Sequence, residues 1–266
     1  MTPENMLKEG RLDEALQGLT SQVRNNPADA RCRVFLFQLL ALLGQWERAQ
    51  TQLKVSGELD VNNTLMAGAY AQAVRGELMR AGVLAGERMP SVVGEPSQWM
   101  ALLLQALKLD AQGQHANAAP LREQAFDLAP TVSGEVDGEA FEWVADADPR
   151  FGPCLEMVVN GSYAWVPFAR LKQLVFEAPS DLRDKVWAPV QVTWSNGGQA
   201  VGFVPCRYPG SERSADADVV LARRTDWEER APGLFTGLGQ RMLATDAGEY
   251  PLLDVRTLVF HHDAVA

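Results

Sequence analysis

The chain of 266 residues has few of the residue types that build catalytic, metal or disulfide sites. Its three cysteines, Cys32, Cys154 and Cys206, match neither the spacing of a zinc site nor a disulfide framework, so we expect buried thiols in a reducing compartment. The HExxH, GxSxG and P-loop patterns are all missing. These absences argue against the common metalloproteases, serine hydrolases and nucleotide-binding enzymes, and we predict no metal and no cofactor.

Histidine is equally scarce, since the chain contains three. His115 follows a glycine in a helical stretch and is interpreted as a packing residue. His261 and His262 lie near the end of the chain and are interpreted as part of a tail rather than as a ligand pair. We therefore predict a protein that is not an enzyme.

Long apolar runs and an excess of basic charge are also absent. No run of 18 apolar residues predicts a membrane span, and the first residues lack the basic-then-apolar layout of a signal peptide. The net charge of −10 disfavours non-specific binding to nucleic acid, which normally needs a basic surface. We expect a cytoplasmic protein with protein partners and with neither nucleic acid nor membrane among them.

A repeated pattern is the most informative feature that is present. Four strings in the first half of the chain begin with glycine, have a bulky residue two positions later and end with alanine three positions after that. The first two of them start 34 residues apart, the period of a tetratricopeptide array. The four strings are Gly10–Ala15, Gly44–Ala49, Gly76–Ala81 and Gly113–Ala118. We predict four helix–turn–helix units, numbered one to four, with each glycine at the turn.

Two prolines support this register. Pro27 follows Gly10 by 17 residues, and Pro130 follows Gly113 by the same distance. Proline cannot continue a helix, so each one marks the end of the second helix of its unit. Unit three is less regular: its first helix is predicted over Asn62–Arg75, and a loop is predicted over 89–97.

Arrays of this kind usually bind other proteins in their concave groove. Repeat register places seven mostly apolar residues on that side, and these are our predicted partner-binding residues. They are Val34, Gln38, Met66, Tyr70, Met100, Leu103 and Leu107. Such a surface suits the apolar face of an amphipathic helix. The alternative is that the C-terminal part of the same chain fills the groove.

The pattern changes after Pro130, where signals for strands replace helical periodicity. Asn160-Gly161 lies between two alternating apolar runs, a typical hairpin signal, and a second hairpin is predicted at Ser195–Gly198. A short helix is predicted over Phe168–Leu174 and a late strand over Leu252–Phe260. The predicted fold class is α+β, with a helical repeat domain over 1–134 and a β-rich domain over 135–266.

The start of the second domain is acidic. Six carboxylates and no base occur between residues 135 and 148, namely Glu135, Asp137, Glu139, Glu142, Asp146 and Asp148. This pattern is typical of a solvated segment, and the alternative is a docking strip for a basic partner. The Asp146-Ala-Asp148 pair also leaves open a metal site, because carboxylate oxygens bind divalent cations.

Several strings in the second domain together resemble the ImpE family, also called SciE or TagJ. They occur in one order between about 140 and 256. The strings are Ala145–Pro153, Trp165–Phe168, Val186–Pro189, Arg207–Glu212, Arg223–Trp227, Gly237–Leu243 and Gly248–Asp254. With the repeats before them, the resemblance spans nearly the whole chain.

The resemblance implies an accessory protein of bacterial type VI secretion. Proteins of this family look like adaptors that contact TssB, the small subunit of the contractile sheath, and connect the sheath to the ClpV disassembly ATPase. The resemblance supplies no catalytic residue and no cofactor. Two alternatives remain open: a repeat-type co-chaperone unrelated to secretion, and an enzyme that uses the carboxylates of Asp146 and Asp148 with a divalent metal.

Overall fold

The computed structural model describes residues 2–95 and 97–262. The first half of the chain is helical. The α-helices described there are α1 (Pro3–Lys8), α2 (Leu12–Asn25), α3 (Ala30–Leu42), α4 (Trp46–Leu59), α5 (Thr64–Leu84), α6 (Gln98–Ala111) and α7 (His115–Leu128), and a 3₁₀ turn over Val61–Asn63 precedes α5. Units one, two and four are the pairs α1–α2, α3–α4 and α6–α7, whereas unit three contains α5 alone.

Three of the four predicted turn glycines are confirmed. Gly10, Gly44 and Gly113 separate the paired helices and have φ angles of 75°, 66° and 73°. Residues other than glycine rarely adopt this left-handed backbone conformation, which is why glycine ends these helices. The N-terminus of α3 is capped by Asp29, whose carboxylate accepts from the backbone N–H of Arg31 at 2.9 Å and of Cys32 at 3.0 Å.

The fourth prediction is wrong, because Gly76 lies inside α5 and not in a turn. The helix continues for 21 residues from Thr64 to Leu84 and ends before Gly86, whose φ is 72°. A Cβ atom on Gly76 would lie 2.4 Å from Cγ2 of Val158, so glycine is needed there for close packing of α5 on a strand. The predicted helix over Asn62–Arg75 is therefore too short.

The second half of the chain is built mainly of strands. They are β1 (Ser91–Val92), β2 (Ser133–Val136), β3 (Glu139–Phe141), β4 (Val144–Asp146), β5 (Cys154–Val159), β6 (Ser162–Pro167), β7 (Leu171–Phe176), β8 (Trp187–Trp194), β9 (Gln199–Pro205), β10 (Thr225–Ala231), β11 (Leu234–Gly239), β12 (Met242–Thr245), β13 (Glu249–Pro251) and β14 (Thr257–His261). One short helix, α8 (Ala217–Val220), lies between β9 and β10. The combination of helical repeats and a β-rich region confirms the α+β class.

Nine strands form the main sheet, in the order β1-β6-β5-β9-β8-β7-β14-β2-β3. The pairing of β1 with β6 is parallel, and the other neighbours are antiparallel. The two predicted hairpins are β5–β6, turning at Asn160-Gly161, and β8–β9. A three-stranded sheet (β13-β12-β4) and the β10–β11 hairpin complete the region.

Three local predictions need correction. The segment Phe168–Leu174 is one 3₁₀ turn over Phe168–Arg170 followed by β7, not a helix. The late strand begins at Thr257, later than expected. The loop predicted over 89–97 contains β1, which adds an edge strand to the main sheet.

The helices pack directly on one face of the main sheet. One buried cluster combines side chains of α1–α5 with Val186, Trp187, Val220 and Leu221. A second combines α5 and α6 with Phe151, Trp165 and other side chains of the β-rich region. A third lies within the sheets themselves. Two of these three clusters are therefore shared between the helical and β-rich regions.

Candidate interaction surfaces

The seven residues predicted to bind a partner do not share one open surface. Val34 and Met66 are partly exposed, and the other five are buried inside the chain. The buried five are Gln38, Tyr70, Met100, Leu103 and Leu107. The expectation of an open concave groove is corrected, because the β-rich region of the same chain fills that space.

Tyr70 shows how the space is filled. Its ring centroid lies 4.8 Å from that of Phe203 on β9 and 5.9 Å from that of Trp187 on β8. The guanidinium of Arg183 lies 4.7 Å from the Tyr70 ring centroid, within range of a cation–π interaction. In the same way, Leu103 belongs to a buried cluster that includes aromatic side chains of the β-rich region.

A buried ionic network also joins α5 to the sheet. Arg80 on α5 donates from Nε and Nη2 to the two carboxylate oxygens of Glu156 on β5, at 2.8 and 2.7 Å. Arg241 donates to Glu156 and to Asp146, and it is fully buried. Removing one partner of such a network leaves an uncompensated buried charge, which is strongly destabilising. The network therefore fixes the helical layer to the sheet.

The carboxylates of Asp146 and Asp148 are part of this internal packing. Asp146 accepts from the hydroxyl of Tyr208 at 3.0 Å, and Asp148 accepts from the backbone N–H of Gly237 at 2.8 Å and from Nε of Arg150 at 2.9 Å. Within residues 2–95 and 97–262, no three His, Cys, Asp or Glu side chains are grouped as a metal site would require. The pair that resembled metal ligands is instead held by arginines and by backbone.

Burial and ion pairing shift the pKa of Glu156 and of Asp146 in opposite directions. Burial alone would raise the pKa of Glu156, but the guanidinium groups of Arg80 and Arg241 outweigh it and lower the pKa to about 2. Burial raises the pKa of Asp146 to about 6, despite its contact with Arg241. Glu156 is therefore the carboxylate that the network stabilises most as an anion.

Arg207 is a structural residue that sequence reasoning did not identify. Its guanidinium is buried and donates to the backbone carbonyls of Leu42 and Val220, at 2.9 and 2.6 Å. These carbonyls are the last of α3 and α8, and a cation there satisfies groups that have no partner within their helix. Burial lowers the pKa of Arg207 to about 10. One of its partners, the carbonyl of Leu42, lies 165 positions away in the chain, so no local motif indicated this contact.

The acidic segment over 135–148 is not one continuous exposed strip. Asp146 and Asp148 are buried, whereas Glu139 and Glu142 are exposed. The carboxylate of Asp137 accepts from the backbone N–H groups of residues 256 and 257 and so helps to hold β14. The segment is thus partly a structural element of the sheet edge.

An open groove lies elsewhere, between α4 and the first half of α5. It has a volume of about 750 Å³. Its lining residues are Glu47, Gln50, Thr51, Leu53, Lys54, Gly57, Glu58, Thr64, Ala67 and Ala71. We call this feature the α4–α5 groove. Its floor is made of small and apolar side chains, with charged side chains among the residues of α4.

Two large apolar side chains near the start of α5 are exposed. Leu65, at the start of α5, is 88% exposed, and Val61, in the turn before it, is 81% exposed. Gly68 is also exposed, and a Cβ atom added to it would meet nothing within 4 Å. The α4–α5 groove, with its small and apolar floor, is a candidate site for a partner. The sequence signal was the run of small and apolar residues in unit three, which repeat register alone did not assign to this face.

Comparison with known proteins places the chain in a family. A profile described as ImpE protein matches residues 138–259, and a tetratricopeptide repeat profile matches residues 6–73, ending inside α5. The type VI secretion system accessory component TagJ of Pseudomonas aeruginosa is 50% identical over 262 residues, which cover 98% of this chain and 91% of that protein.

A solved structure matches the whole fold. The X-ray structure of a protein from Vibrio parahaemolyticus superposes with a TM-score of 0.89 at 26% identity and covers 98% of both chains. None of the helices within residues 2–95 and 97–262 is both long and apolar enough to cross a membrane. On the near full-length identity to TagJ and the match of the ImpE profile, the chain belongs to the ImpE/TagJ family.

Proposed function

We propose that the protein is an accessory component of type VI secretion that acts as a non-enzymatic adaptor. In this role it binds the small sheath subunit, TssB, through an amphipathic segment of that subunit. It thereby links the contractile sheath to the ClpV ATPase that disassembles it.

The observation that carries the accessory role is the 50% identity to TagJ over nearly all of both chains. A match of this extent includes the helical repeats and the β-rich region together, so it is not a likeness of one widespread module. The two alternatives have no comparable support. A co-chaperone role rests on the repeats alone, and the carboxylates proposed for an enzyme are engaged inside the fold.

The architecture also supports an adaptor. Helical repeats usually recognise partners through the extended concave surface of the array. Here the concave side is packed on the sheet, but the α4–α5 groove is open and has a floor of small and apolar side chains. Burial of apolar surface stabilises a complex by about 25 cal/mol per Å² before the costs of association are subtracted. An amphipathic helix supplies apolar surface of the required kind.

Binding of the purified protein to purified small sheath subunit tests this function. Isothermal titration calorimetry should detect a complex with a Kd of tens of micromolar or lower, that is, about −6 kcal/mol or more favourable. Adding ClpV should then give a ternary complex in size-exclusion chromatography. The matched control is the same titration with the large sheath subunit alone.

Two results would contradict the proposal in different parts. Absence of binding to the small sheath subunit at high micromolar concentrations would remove the adaptor role towards the sheath. Binding to that subunit without any ternary complex containing ClpV would remove only the link to the ATPase. Deletion of the gene should alter sheath turnover in cells if both parts hold.

A further inference from the structure

A cleft lies between the turn that joins α6 to α7 and the β10–β11 hairpin. It consists of two adjoining cavities of about 370 and 540 Å³, and both are lined by Gly113, His115 and Leu234. We call this feature the hairpin cleft. Cavities of this size are typical of sites for small molecules. The hairpin cleft is separate from the α4–α5 groove, since the two have no lining residue in common.

Two guanidinium groups line the smaller cavity from the β-rich side. Arg150 donates from Nε and Nη2 to the carboxylate of Asp148, at 2.9 and 2.5 Å. Arg230 donates from Nε to the hydroxyl of Thr236 at 3.3 Å, and its Nη2 lies 2.8 Å from a carboxylate oxygen of Glu228. Within residues 2–95 and 97–262, neither Nη1 group has a hydrogen-bond acceptor. Each arginine therefore has a donor left for a ligand while it keeps its partner in the chain.

The N-terminus of α7 is the third source of donors. Gly113 and His115 line both cavities, and Ala116 lines the larger one. Gln114, the N-cap residue, makes no side-chain hydrogen bond to the helix, and its amide donates to Gln112 at 3.0 Å instead. In the described part of the chain, the backbone N–H groups of residues 115 and 116 have no acceptor. Free N–H groups in the first turn of a helix favour an anion.

Arg122 gives an independent indication of a missing acceptor. It lines the larger cavity and is only 8% exposed. Its Nη2 donates to Asp110, whose carboxylate also lies 2.9 Å from Nδ1 of His115. Its Nε is buried and has no hydrogen-bond partner in the described part of the chain. Because a buried donor without a partner is costly, this atom indicates an acceptor that the chain itself does not supply.

The charge of the cleft is opposite to that of the whole protein. The two cavities are lined by three arginines and two acids, namely Arg122, Arg150, Arg230, Asp110 and Glu123. Asp110 is already engaged by Arg122, and Glu123 is exposed. The chain as a whole carries a net charge of −10. A local excess of arginine in an acidic protein favours a ligand with negative charge.

We propose that the hairpin cleft binds a small molecule that carries a phosphate group. The donors come from two arginines and a helix terminus, and a phosphate group has three terminal oxygens to accept from them, whereas a carboxylate has two. The side chains of Leu84, Leu107 and Leu234 provide an apolar wall for the organic part of the molecule. A bound ligand connects α7 to the β10–β11 hairpin.

Pyrophosphate is the first probe, because it carries phosphate oxygens without an organic part. Isothermal titration calorimetry with the full chain should detect one site with a Kd below about 1 mM, at an ionic strength of about 0.15 M that screens exposed charges. Inorganic phosphate should bind more weakly, because it offers fewer oxygens. Citrate is the carboxylate probe and should bind more weakly than pyrophosphate.

Two arginines near each other in sequence give a matched pair of variants. Arg230 lines the cleft, whereas Arg224, which directly precedes β10, does not. Their side chains are 46% and 52% exposed, and both pair with acids. Arg230→Gln should weaken pyrophosphate binding at least about fivefold, because a charge-assisted hydrogen bond is lost. Arg224→Gln should leave the Kd within about twofold, since an exposed charge outside the site contributes little.

The helix terminus is tested by a second pair, Ala116→Glu and Ala116→Gln. Ala116 is exposed in the first turn of α7, and both new residues are good helix formers, so both variants should fold. The carboxylate of Ala116→Glu competes with the ligand for the N–H groups and repels it, so binding should weaken at least about tenfold. The neutral Ala116→Gln should keep the Kd within about threefold, because it adds no charge. Bound pyrophosphate should slow hydrogen exchange in 113–118 and 230–236.

Three results would overturn the proposal. Absence of pyrophosphate binding at about 10 mM would remove the anion site, since affinities weaker than this give no specific complex. Equal weakening in Arg230→Gln and Arg224→Gln would show that the whole surface, and not the cleft, attracts the anion. Tighter binding of citrate than of pyrophosphate would overturn the assignment of the ligand as a phosphate. The small sheath subunit is not used in these titrations, so they test the cleft separately from the proposed function.

Discussion

The two halves of α5 use glycine for opposite purposes. In the second half, Gly76 lies against the sheet, and a Cβ atom there would be 2.4 Å from a methyl carbon of Val158. In the first half, Gly68 is exposed, and a Cβ atom would meet nothing within 4 Å. One helix is thus both the core of the junction and one wall of an open groove. The comparison separates residues that hold the fold from residues available to a partner.

The same contrast appears in the polar residues around the helix. Arg80, in the second half of α5, donates to Glu156 inside a buried network. The groove side instead has exposed charges on α4, such as the ion pair of Lys54 and Glu58. Buried pairs of the first kind are costly to break, whereas exposed pairs contribute from about zero to 1 kcal/mol. Substitutions on the two sides should therefore differ strongly in their effect on stability.

The largest loss of stability is expected when the buried ionic network around Arg241 is broken. Arg241→Met removes the cation that joins Asp146 to Glu156 and leaves Asp146 without an ion-pair partner. We expect a loss of about 3–5 kcal/mol in the free energy of unfolding, measured by urea denaturation. Arg213→Met is the matched control, because that side chain is 82% exposed and should change the value by less than about 0.5 kcal/mol. Equal effects of the two variants would show that the network is not central.

The second effect depends on pH. The pKa of Glu156 is lowered from 4.5 to about 2, so its contribution to stability is complete above pH 4.5 and is lost as the pH falls towards 2. Glu156→Gln should therefore destabilise most at pH 7, and the difference from wild type should shrink as the pH falls below 4.5. Urea denaturation at several pH values between 7 and 3.5 measures this difference.

Asp146 serves as a control, because its pKa shift is opposite to that of Glu156 and its contribution to stability should change with pH in the opposite direction. Its pKa is raised from 3.8 to about 6, so its contribution is present below pH 3.8 and is lost as the pH rises through 6. Wild type should therefore lose stability relative to Asp146→Asn as the pH rises from 4 to 6. If the stability differences from wild type changed with pH in the same direction for both variants, the opposite pKa shifts of Glu156 and Asp146 would be contradicted.

The third effect tests the close packing of α5 on the sheet. Gly76→Ala raises helix propensity but places a methyl group against Val158. The packing cost should exceed the gain, with a net loss of about 1–3 kcal/mol in the free energy of unfolding. Val158→Ala in the same chain should recover part of the loss by making room. A stabilising Gly76→Ala would mean that the contact yields easily and that the helix does not need glycine there.

The Gly76 result also explains which parts of the fold could be predicted from sequence. Gly10, Gly44 and Gly113 end helices for a local reason, the left-handed backbone of a turn, and local pattern finds them. Gly76 has the same sequence context, but its requirement comes from Val158, which is 82 residues away and is brought near only by the tertiary fold. The continuous helix in unit three was missed for this reason.

The candidate sites illustrate the same limit. Repeat register predicted that Tyr70 and Leu103 lie on the inner side of the array, but it did not reveal that they are buried against the β-rich region. The carboxylate of Asp146 resembled a metal ligand because its partner, Arg241, lies 95 positions later in the chain. The α4–α5 groove was missed because it depends on how α5 packs against α4, and repeat register alone does not give that packing.

The smallest expected effect completes the comparison between the two glycines. Gly68→Ala replaces an exposed helical glycine with the residue of highest helix propensity, and no atom lies in the way of the added methyl group. The variant should be more stable than wild type by about 0.5–1 kcal/mol in urea denaturation, since glycine costs this much within a helix. Gly76→Ala makes the same chemical change in the same helix, so the difference between the two variants isolates the contact with Val158. If Gly68→Ala destabilised the protein, the first half of α5 would have to be packed against another part of the chain, and the α4–α5 groove would not be open to a partner.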